Sequence, residues 1–214
     1  MIFALAFIIL FLPITIFYPT KVLHKERMPK GKKCIATSNH YSNADPILFD
    51  VKFRRKFIFL AKVELFKNKF ASWFLKKCGG IAVDREKVSP STFKETISAL
   101  NKNKQVFIFP EGTRNKNESE ELGDVKSGVV TFASKGECEI IPMLLYRKPK
   151  VFRKNYIIVG KPFNIEGENP KRLSKEELDK NVERYTLVMN ELRKEIDEFV
   201  DSKKSKRKKN KSSK

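Results

Sequence analysis

The nine residues from Ser38 to Pro46 predict a strand–loop–helix unit that fixes the class of fold. Cys34–Thr37, directly before them, has the composition of a short strand. Asp45 and Pro46 predict the start of a helix, with Asp45 as N-cap and Pro46 in the first helical position. His40 therefore falls in a loop between a strand and a helix, where α/β proteins place chemistry.

His40 and Asp45 are five positions apart, a spacing that does not bring two residues to one face of a helix. A hydrogen bond between them needs the turn that the boundary at Pro46 supplies. The pair would then provide a base and a carboxylate that fixes the tautomer of the imidazole. The alternative is a loop histidine beside an N-cap aspartate with no chemical role, and this stretch alone leaves it open.

Strands and helices alternate along the rest of residues 21–170, which we interpret as one α/β domain. We expect a mixed, mostly parallel sheet flanked by helices, with its loops gathered at one sheet edge. Further strands are predicted near 56–61, 81–85, 105–109, 139–146 and 156–159, and further helices near 64–77, 91–101 and 126–134.

The first 20 residues carry no charge and are rich in Phe, Ile and Leu. As a helix they would be about 30 Å long, enough to cross a bilayer core. We expect a membrane-anchoring hydrophobic helix, although Pro13 and Pro19 argue against a straight span, and a buried core helix is the alternative. The basic residues that follow, from Lys21 to Lys33, predict that the rest of the chain lies on the cytoplasmic side.

The C-terminal part has a different pattern. Residues 171–201 contain apolar positions that repeat by four and three, which predicts a long amphipathic helix packed on the domain or on a second subunit. We expect it to pack on the domain. Residues 202–214 are rich in lysine and predict a disordered tail.

The net charge of +20 predicts anionic partners: nucleic acid, a phospholipid surface or phosphorylated metabolites. Only eight of the 45 basic residues lie in the tail, so the excess is not a tail effect alone. Phe66, Phe70, Trp73 and Phe74 share one face of the helix predicted at 64–77, among lysines. Such a helix suits a membrane interface, and core packing explains the same periodicity.

Four motifs in order resemble the glycerolipid acyltransferase family, the group that contains the 1-acylglycerol-3-phosphate acyltransferases. The likeness runs from about residue 34 to 162. The matching segments are Asn39-His40 with Asp45, Gly79–Arg85, Phe109–Arg114 followed by Lys126, Gly128 and Ala133, and Ile141-Pro142. One such motif is weak evidence, whereas four with matching order and spacing are strong.

The resemblance implies transfer of a fatty acyl group from acyl-CoA or acyl carrier protein to the free hydroxyl of 1-acylglycerol 3-phosphate (lysophosphatidate), giving phosphatidic acid. Glycerol 3-phosphate or another lysophospholipid is the alternative acceptor. We expect an anionic membrane surface as a partner, and neither a cofactor, a metal ion nor nucleic acid. A basic membrane-surface or nucleic-acid-binding module is the alternative from another class, although no zinc-finger spacing or ribonucleoprotein motif supports it.

The resemblance also implies roles for particular residues. His40 would take the proton of the acceptor hydroxyl while Asp45 holds its ring. Cationic side chains would bind the phosphate, and a neighbouring turn would complete the substrate site. The candidates are Arg85, Arg114 and Lys126 for the phosphate, and Glu111, Gly112 and Thr113 in the turn. Pro142 would have a structural role or line the acyl-donor site. Glu111 would bond an acceptor hydroxyl or orient an arginine.

Overall fold

A computed structural model describes residues 13–84, 88–115 and 123–212. Its centre is a seven-stranded sheet with the strand order β1-β7-β6-β2-β5-β3-β4. The strands are β1 (Thr20–Leu23), β2 (Cys34–Thr37), β3 (Ile58–Lys62), β4 (Ile81–Val83), β5 (Gln105–Ile108), β6 (Ile140–Leu145) and β7 (Asn155–Val159). Neighbouring strands run parallel except β6 and β7. The predicted mixed, mostly parallel sheet is confirmed.

Five helices flank this sheet in the described residues after β1. They are α1 (Asp45–Phe53), α2 (Lys69–Cys78), α3 (Pro90–Asn101), α4 (Gly128–Gly136) and α5 (Lys175–Ser212). The start of α1 differs slightly from the prediction, because Ala44 is its N-cap and Asp45 is its first residue. The carboxylate of Asp45 is thereby free to bond groups in the loop before the helix.

The helix predicted at 64–77 is interrupted. A 3-10 turn, Val63–Phe66, precedes α2, and Asn68 between them is the N-cap of α2. The Asn68 side chain accepts a hydrogen bond of 3.0 Å from the amide of Ala71. Asparagine is favoured as an N-cap over a helix interior, which explains why a new helix begins after Asn68.

The N-terminal segment differs from the prediction in its last residues. Residues 13–17 are helical, but Thr20 begins β1, an edge strand paired in parallel with β7. Ile14 and Tyr18 pack against the core beneath α1. Residues 1–12, which carry most of the predicted anchor, lie outside the described residues. Within the described part of the chain, no helix combines the length and apolarity that crossing a bilayer requires.

The sheet separates two apolar cores. Phe49 of α1 and Phe107 of β5 belong to the core on one face. The other face is covered by α3, α4 and α5, whose buried residues include Leu100, Val130 and Met189. Because β5 contributes alternate residues to both cores, its carboxyl end is held from both sides.

Helix α5 lies along the second face. Its buried apolar residues recur by four, three, four and four: Tyr185, Met189, Leu192, Ile196 and Val200. The helix continues to Ser212, through residues that we expected to be disordered. No glycine or proline follows Pro170, and lysine has a high helix propensity, so nothing in the sequence ends the helix earlier.

Candidate active site

The predicted site loops meet at the carboxyl ends of the parallel strands. Strand β2 pairs in parallel with β5, so the loop after Thr37 and the turn after Ile108 leave the sheet side by side. The amide of Asn115 donates a hydrogen bond of 2.7 Å to the carbonyl oxygen of His40. This edge is where ligands bind in open α/β sheets.

His40 and Asp45 form the predicted pair. Nδ1 of His40 lies 2.9 Å from Oδ2 of Asp45, and both side chains are buried. The same carboxylate oxygen accepts hydrogen bonds from the amides of Tyr41, at 2.7 Å, and Ser42, at 2.8 Å. Since an ionised carboxylate only accepts, Nδ1 carries the proton in the neutral ring and Nε2 is the basic nitrogen.

The ring of His40 is also fixed from the side. It stacks on Phe109, with ring centroids 4.0 Å apart and planes inclined by 20°. Asn39 holds the same loop to β6, because its side chain accepts a hydrogen bond of 2.8 Å from the amide of Leu145 and donates one of 3.0 Å to its carbonyl. Asn39 therefore has a structural role in this chain, because it fixes the His40 loop to β6.

Glu111 bonds two backbone amides of the surrounding loops, and its bond to an acceptor hydroxyl or to an arginine stays a prediction. Its carboxylate accepts hydrogen bonds from the backbone amides of His40, at 3.2 Å, and of Gly123. Burial raises the pKa of Glu111, although these two amides oppose the shift. The residue joins the loop after β2 to the turn after β5, a role that motif spacing does not reveal because the bonded groups belong to the backbone.

Beside this pair lies a polar cleft of about 750 Å³. Of the predicted substrate-binding residues, Gly112, Thr113, Arg114 and Lys126 line it, whereas Arg85 lies outside the described residues. Gly112 has a φ of +65°, and an added Cβ would lie 3.1 Å from Cε of Lys126. Glycine thus permits both the turn and the close passage of the Lys126 stem.

Two cations in this cleft were not predicted, Lys62 and Lys148. Lys62 is the last residue of β3, and Lys148 follows β6. Both strands end at the same sheet edge as β2 and β5, because all four run parallel. A search for basic residues just after each predicted strand would have found them.

A separate apolar pocket of about 320 Å³ lies on the α1 side of the sheet and is called here the α1-side pocket. His40 and Phe109 line it, together with side chains from α1, β3 and α2. Lys62 lines both this pocket and the polar cleft, so the two spaces adjoin. The arrangement offers room for an apolar chain on one side of the imidazole and for an anion nearby.

Pro142 lies apart from these spaces. It is a buried residue within β6, opposite Thr37, and its carbonyl accepts a hydrogen bond of 2.8 Å from the amide of Gly160. It is not among the described residues that line the polar cleft or the α1-side pocket. Pro142 thus has the structural position inside the sheet that the sequence suggested, and a role beside the acyl donor stays a prediction.

Helix α5 contributes contacts that the sequence did not predict. The hydroxyl of Tyr185 donates a hydrogen bond of 2.9 Å to Oγ1 of Thr37, the last residue of β2. Arg193 donates a bond of 2.9 Å to the carbonyl of Tyr146. The first contact ties the C-terminal helix to the strand that leads into His40, and the second ties it to the segment that follows β6.

Comparison with known proteins identifies this arrangement. A family model described as Acyltransferase matches residues 20–146, a range that holds all four motifs. The chain belongs to the acyltransferase family. The resemblance inferred from the motifs is thus confirmed, and this protein is an acyltransferase whose helix α5 lies beyond the matched segment.

Individual relatives agree with the assignment. The 1-acyl-sn-glycerol-3-phosphate acyltransferase of Bacillus subtilis is 33% identical over 186 residues, which cover 84% of this acyltransferase and 90% of the relative. That of Borreliella burgdorferi is 32% identical over 138 residues, covering 64% and 54% of the two chains. The crystal structure of the 1-acyl-sn-glycerophosphate acyltransferase from Thermotoga maritima superposes with a TM-score of 0.61 at 26% identity, over 82% of this chain and 71% of that one.

Proposed function

We propose that this acyltransferase transfers a fatty acyl group from an acyl thioester to the free hydroxyl of 1-acylglycerol 3-phosphate, which yields phosphatidic acid for phospholipid synthesis. The observation that carries the proposal is the buried His40–Asp45 pair, which adjoins both the polar cleft and an apolar pocket. The names of the relatives support the same acceptor.

In the proposed reaction Nε2 of His40 takes the proton of the acceptor hydroxyl as its oxygen attacks the thioester carbonyl. The new C–O bond forms, the C–S bond breaks, and the imidazolium returns its proton to the departing thiolate. Asp45 stabilises the transient positive charge on the ring through the bond to Nδ1. General-base assistance of this kind is typically worth about 10²–10⁴-fold in rate.

The phosphate of the acceptor would bind in the polar cleft, where Arg114 and Lys126 are the leading candidates. A guanidinium can grip two phosphate oxygens at once, and a lysine adds a point charge. Thr113 and the close backbone at Gly112 would complete the site. Arg85 remains a proposed ligand on the strength of its motif alone.

The fatty chain of the donor would occupy the α1-side pocket, because His40 lines that pocket and the thioester carbonyl must come close to the imidazole. Each buried methylene stabilises binding by about 0.8 kcal/mol. Acyl-CoA and acyl carrier protein present the same chain, and both remain proposed donors. The chemistry calls for no cofactor, since a thioester is already activated.

We further propose that the enzyme works on the cytoplasmic face of an anionic membrane. None of the ten residues of α2 is buried, and Phe70 and Trp73 are 74% and 47% exposed. Their exposure favours an interfacial role for these two rings over core packing. Four exposed lysines surround them: Lys67, Lys69, Lys76 and Lys77. Aromatic rings beside lysines suit the headgroup region of anionic lipids.

The deciding experiment is an acyl-transfer assay with purified protein. Acyl-CoA and acyl carrier protein thioesters are each offered with 1-acylglycerol 3-phosphate, glycerol 3-phosphate and a lysophospholipid that has no terminal phosphate. We expect phosphatidic acid as the main product, with the first acceptor preferred. Transfer to glycerol 3-phosphate in preference would replace the acceptor assignment, and no transfer with any pair would refute the proposed reaction.

A further inference from the structure

A second apolar pocket lies against the polar cleft on the other side of the sheet. We propose that it binds the acyl chain that the acceptor already carries, so that donor and acceptor chains occupy opposite faces of the sheet. This inference rests on the proposed function, in which both substrates have an apolar chain. The pocket is called here the α4-side pocket and has a volume of about 360 Å³.

Its walls come from the second core. Ile108, Val129 and Phe132 line it and belong to the core under α3, α4 and α5. The α1-side pocket is lined instead by Phe59, which packs with the opposite core. Phe109, whose ring stacks on His40, contributes to both pockets. The two spaces therefore flank the end of the sheet and share a thin wall.

The charged groups assign one chain to each pocket. Gly112 and Lys126 line both the polar cleft and the α4-side pocket. A phosphate held by Lys126 thus lies at the mouth of the α4-side pocket. The acceptor has its phosphate and its existing ester on one glycerol, so its chain can enter there. His40 lines the α1-side pocket, and the donor has its carbonyl at the end of its own chain.

Two separate pockets also suit the chemistry. The attacking hydroxyl and the thioester carbonyl must come into contact, while each carries or adjoins a long apolar chain. Chains that leave the reaction centre on opposite faces of the sheet do not compete for one space. Both cavities lie within the range of volumes that small-molecule sites have in proteins.

Gly128 provides a direct test of the assignment. It lines the α4-side pocket at the start of α4, and a Cβ added there meets no heavy atom within 4 Å. Its φ lies outside the left-handed region, so a larger side chain is compatible with the backbone. Gly128→Trp should occupy the pocket, and Gly128→Ala is the matched control because a methyl group leaves most of it empty.

The experiment compares kcat/KM for 1-acylglycerol 3-phosphates from butanoyl to octanoyl, which stay monomeric in water, with the active donor held fixed. For the wild type and Gly128→Ala we expect kcat/KM to rise with acceptor length, by up to about fourfold for each methylene. Gly128→Trp should flatten that rise. Its response to donor length, measured with one fixed acceptor, should match the wild type.

Two further variants keep the test decisive. Thr131→Phe, in the same wall of the pocket, repeats the measurement if Gly128→Trp does not fold. Ala61→Leu enlarges a residue that lines only the α1-side pocket and should flatten the donor series while leaving the acceptor series unchanged.

The assignment is overturned if kcat/KM rises with acceptor length equally in the wild type and in the folded α4-side variants. It is also overturned if only Ala61→Leu removes the dependence of kcat/KM on acceptor length, since the acceptor chain would then occupy the α1-side pocket. Both results leave acyl transfer itself intact. A wild-type enzyme that acylates no acceptor refutes the proposed function instead, and the two failures are thereby distinguished.

Discussion

The backbone amide of His40 donates a hydrogen bond of 3.2 Å to Oε1 of Glu111, 71 positions away in the chain. Because Glu111 also bonds the amide of Gly123, we predict that it acts by holding the His40 loop. Glu111→Ala leaves a buried amide without its partner, at a cost of about 1–3 kcal/mol. Glu111→Gln keeps a carbonyl acceptor for that amide.

We expect Glu111→Ala to lose more kcat than Glu111→Gln. We also expect Glu111→Ala to have the lower melting temperature of the two. Steady-state kinetics and thermal unfolding of the two variants measure this. If Glu111 touched the reacting substrate through its charge, the glutamine variant would lose as much activity as the alanine variant while remaining well folded. That outcome would contradict the positioning role.

The second prediction concerns the base itself. His40→Ala should lower kcat by about 10²–10⁴-fold without preventing folding. Asp45→Asn should also be severe, because the ring loses the acceptor that selects its tautomer. Circular dichroism checks the fold and product formation checks turnover. A correctly folded His40→Ala enzyme with near-normal kcat would falsify the proposed mechanism.

The third prediction separates the two substrates. Arg114→Gln and Lys126→Met each remove a cation from the polar cleft. Since hydrogen bonds to charged groups contribute about 1.5–3 kcal/mol, the KM for 1-acylglycerol 3-phosphate should rise by roughly 10- to 100-fold. The KM for the acyl donor should change much less. Equal effects on both substrates would count against phosphate binding by these residues.

Sequence reasoning predicted most of the sheet and the edge at which the candidate active site lies. Each central strand is a short apolar run that ends at a marked turn, as at Pro110, so its position could be recognised locally. The His40–Asp45 contact followed from the helix boundary at Pro46. These features depend on residues close in sequence, which is why motif and pattern sufficed.

The features that were missed depend on distant contacts. Strand β1 is four residues long and borders a basic cluster, so only its pairing with β7 defines it. The bond from Tyr185 to Thr37 joins positions 148 apart. No local pattern encodes either contact. Two missed features were exceptions with a local signal. Asn68 before α2 is a recognisable N-cap, and Lys62 and Lys148 lie at or just after the ends of predicted strands.

The fourth prediction concerns stability and pH. Asp50, near the end of α1, accepts a hydrogen bond of 2.9 Å from the amide of Phe57. Burial raises the pKa of its carboxyl to about 7, against the lowering effects of the Phe57 amide and of Lys56. Between the pKa of 3.8 for an ordinary aspartate and this value the folded state binds more protons than the unfolded state. Raising the pH through that window therefore lowers the free energy of unfolding.

Asp50→Asn keeps an acceptor for Phe57 and removes the titration. We expect its stability relative to the wild type to increase from pH 4 to pH 8, by roughly 1–4 kcal/mol. Urea unfolding at several pH values measures the difference. Asp179→Asn, on the exposed side of α5, is the control and should show no such trend. If the difference in the free energy of unfolding between Asp50→Asn and the wild type stays constant with pH, the raised pKa of Asp50 is refuted.

The last prediction concerns attachment to lipid. The described chain presents the exposed aromatic pair Phe70 and Trp73 on α2, with ring centroids 6.0 Å apart. Leu65 and Phe74 beside them line the α1-side pocket, so this face adjoins the proposed path of the donor chain. If the face lies on the membrane, its rings contribute an apolar term that salt does not screen.

We predict that the intact protein, in which the α2 rings add to the apolar anchor predicted for residues 1–20, stays bound to anionic vesicles through a high-salt wash. Deleting residues 1–12, rather than the whole predicted anchor, spares Ile14 and Tyr18, which pack on the core. This truncation should leave salt-sensitive binding, of up to about 1 kcal/mol for each lysine near the surface. In the truncated protein, the double substitution Phe70→Ser and Trp73→Ser should weaken vesicle binding further, even at low salt.

Leu187→Ser is the matched control for the last step, because Leu187 is 57% exposed on α5, a different helix from the aromatic pair. Loss of an exposed apolar side chain there should not change vesicle binding. Sedimentation with vesicles of neutral and anionic composition measures all the variants. Truncated protein that binds equally well with and without the two aromatic rings would show that α2 does not face the lipid. Full-length protein that remains soluble beside anionic vesicles would refute the membrane assignment as a whole.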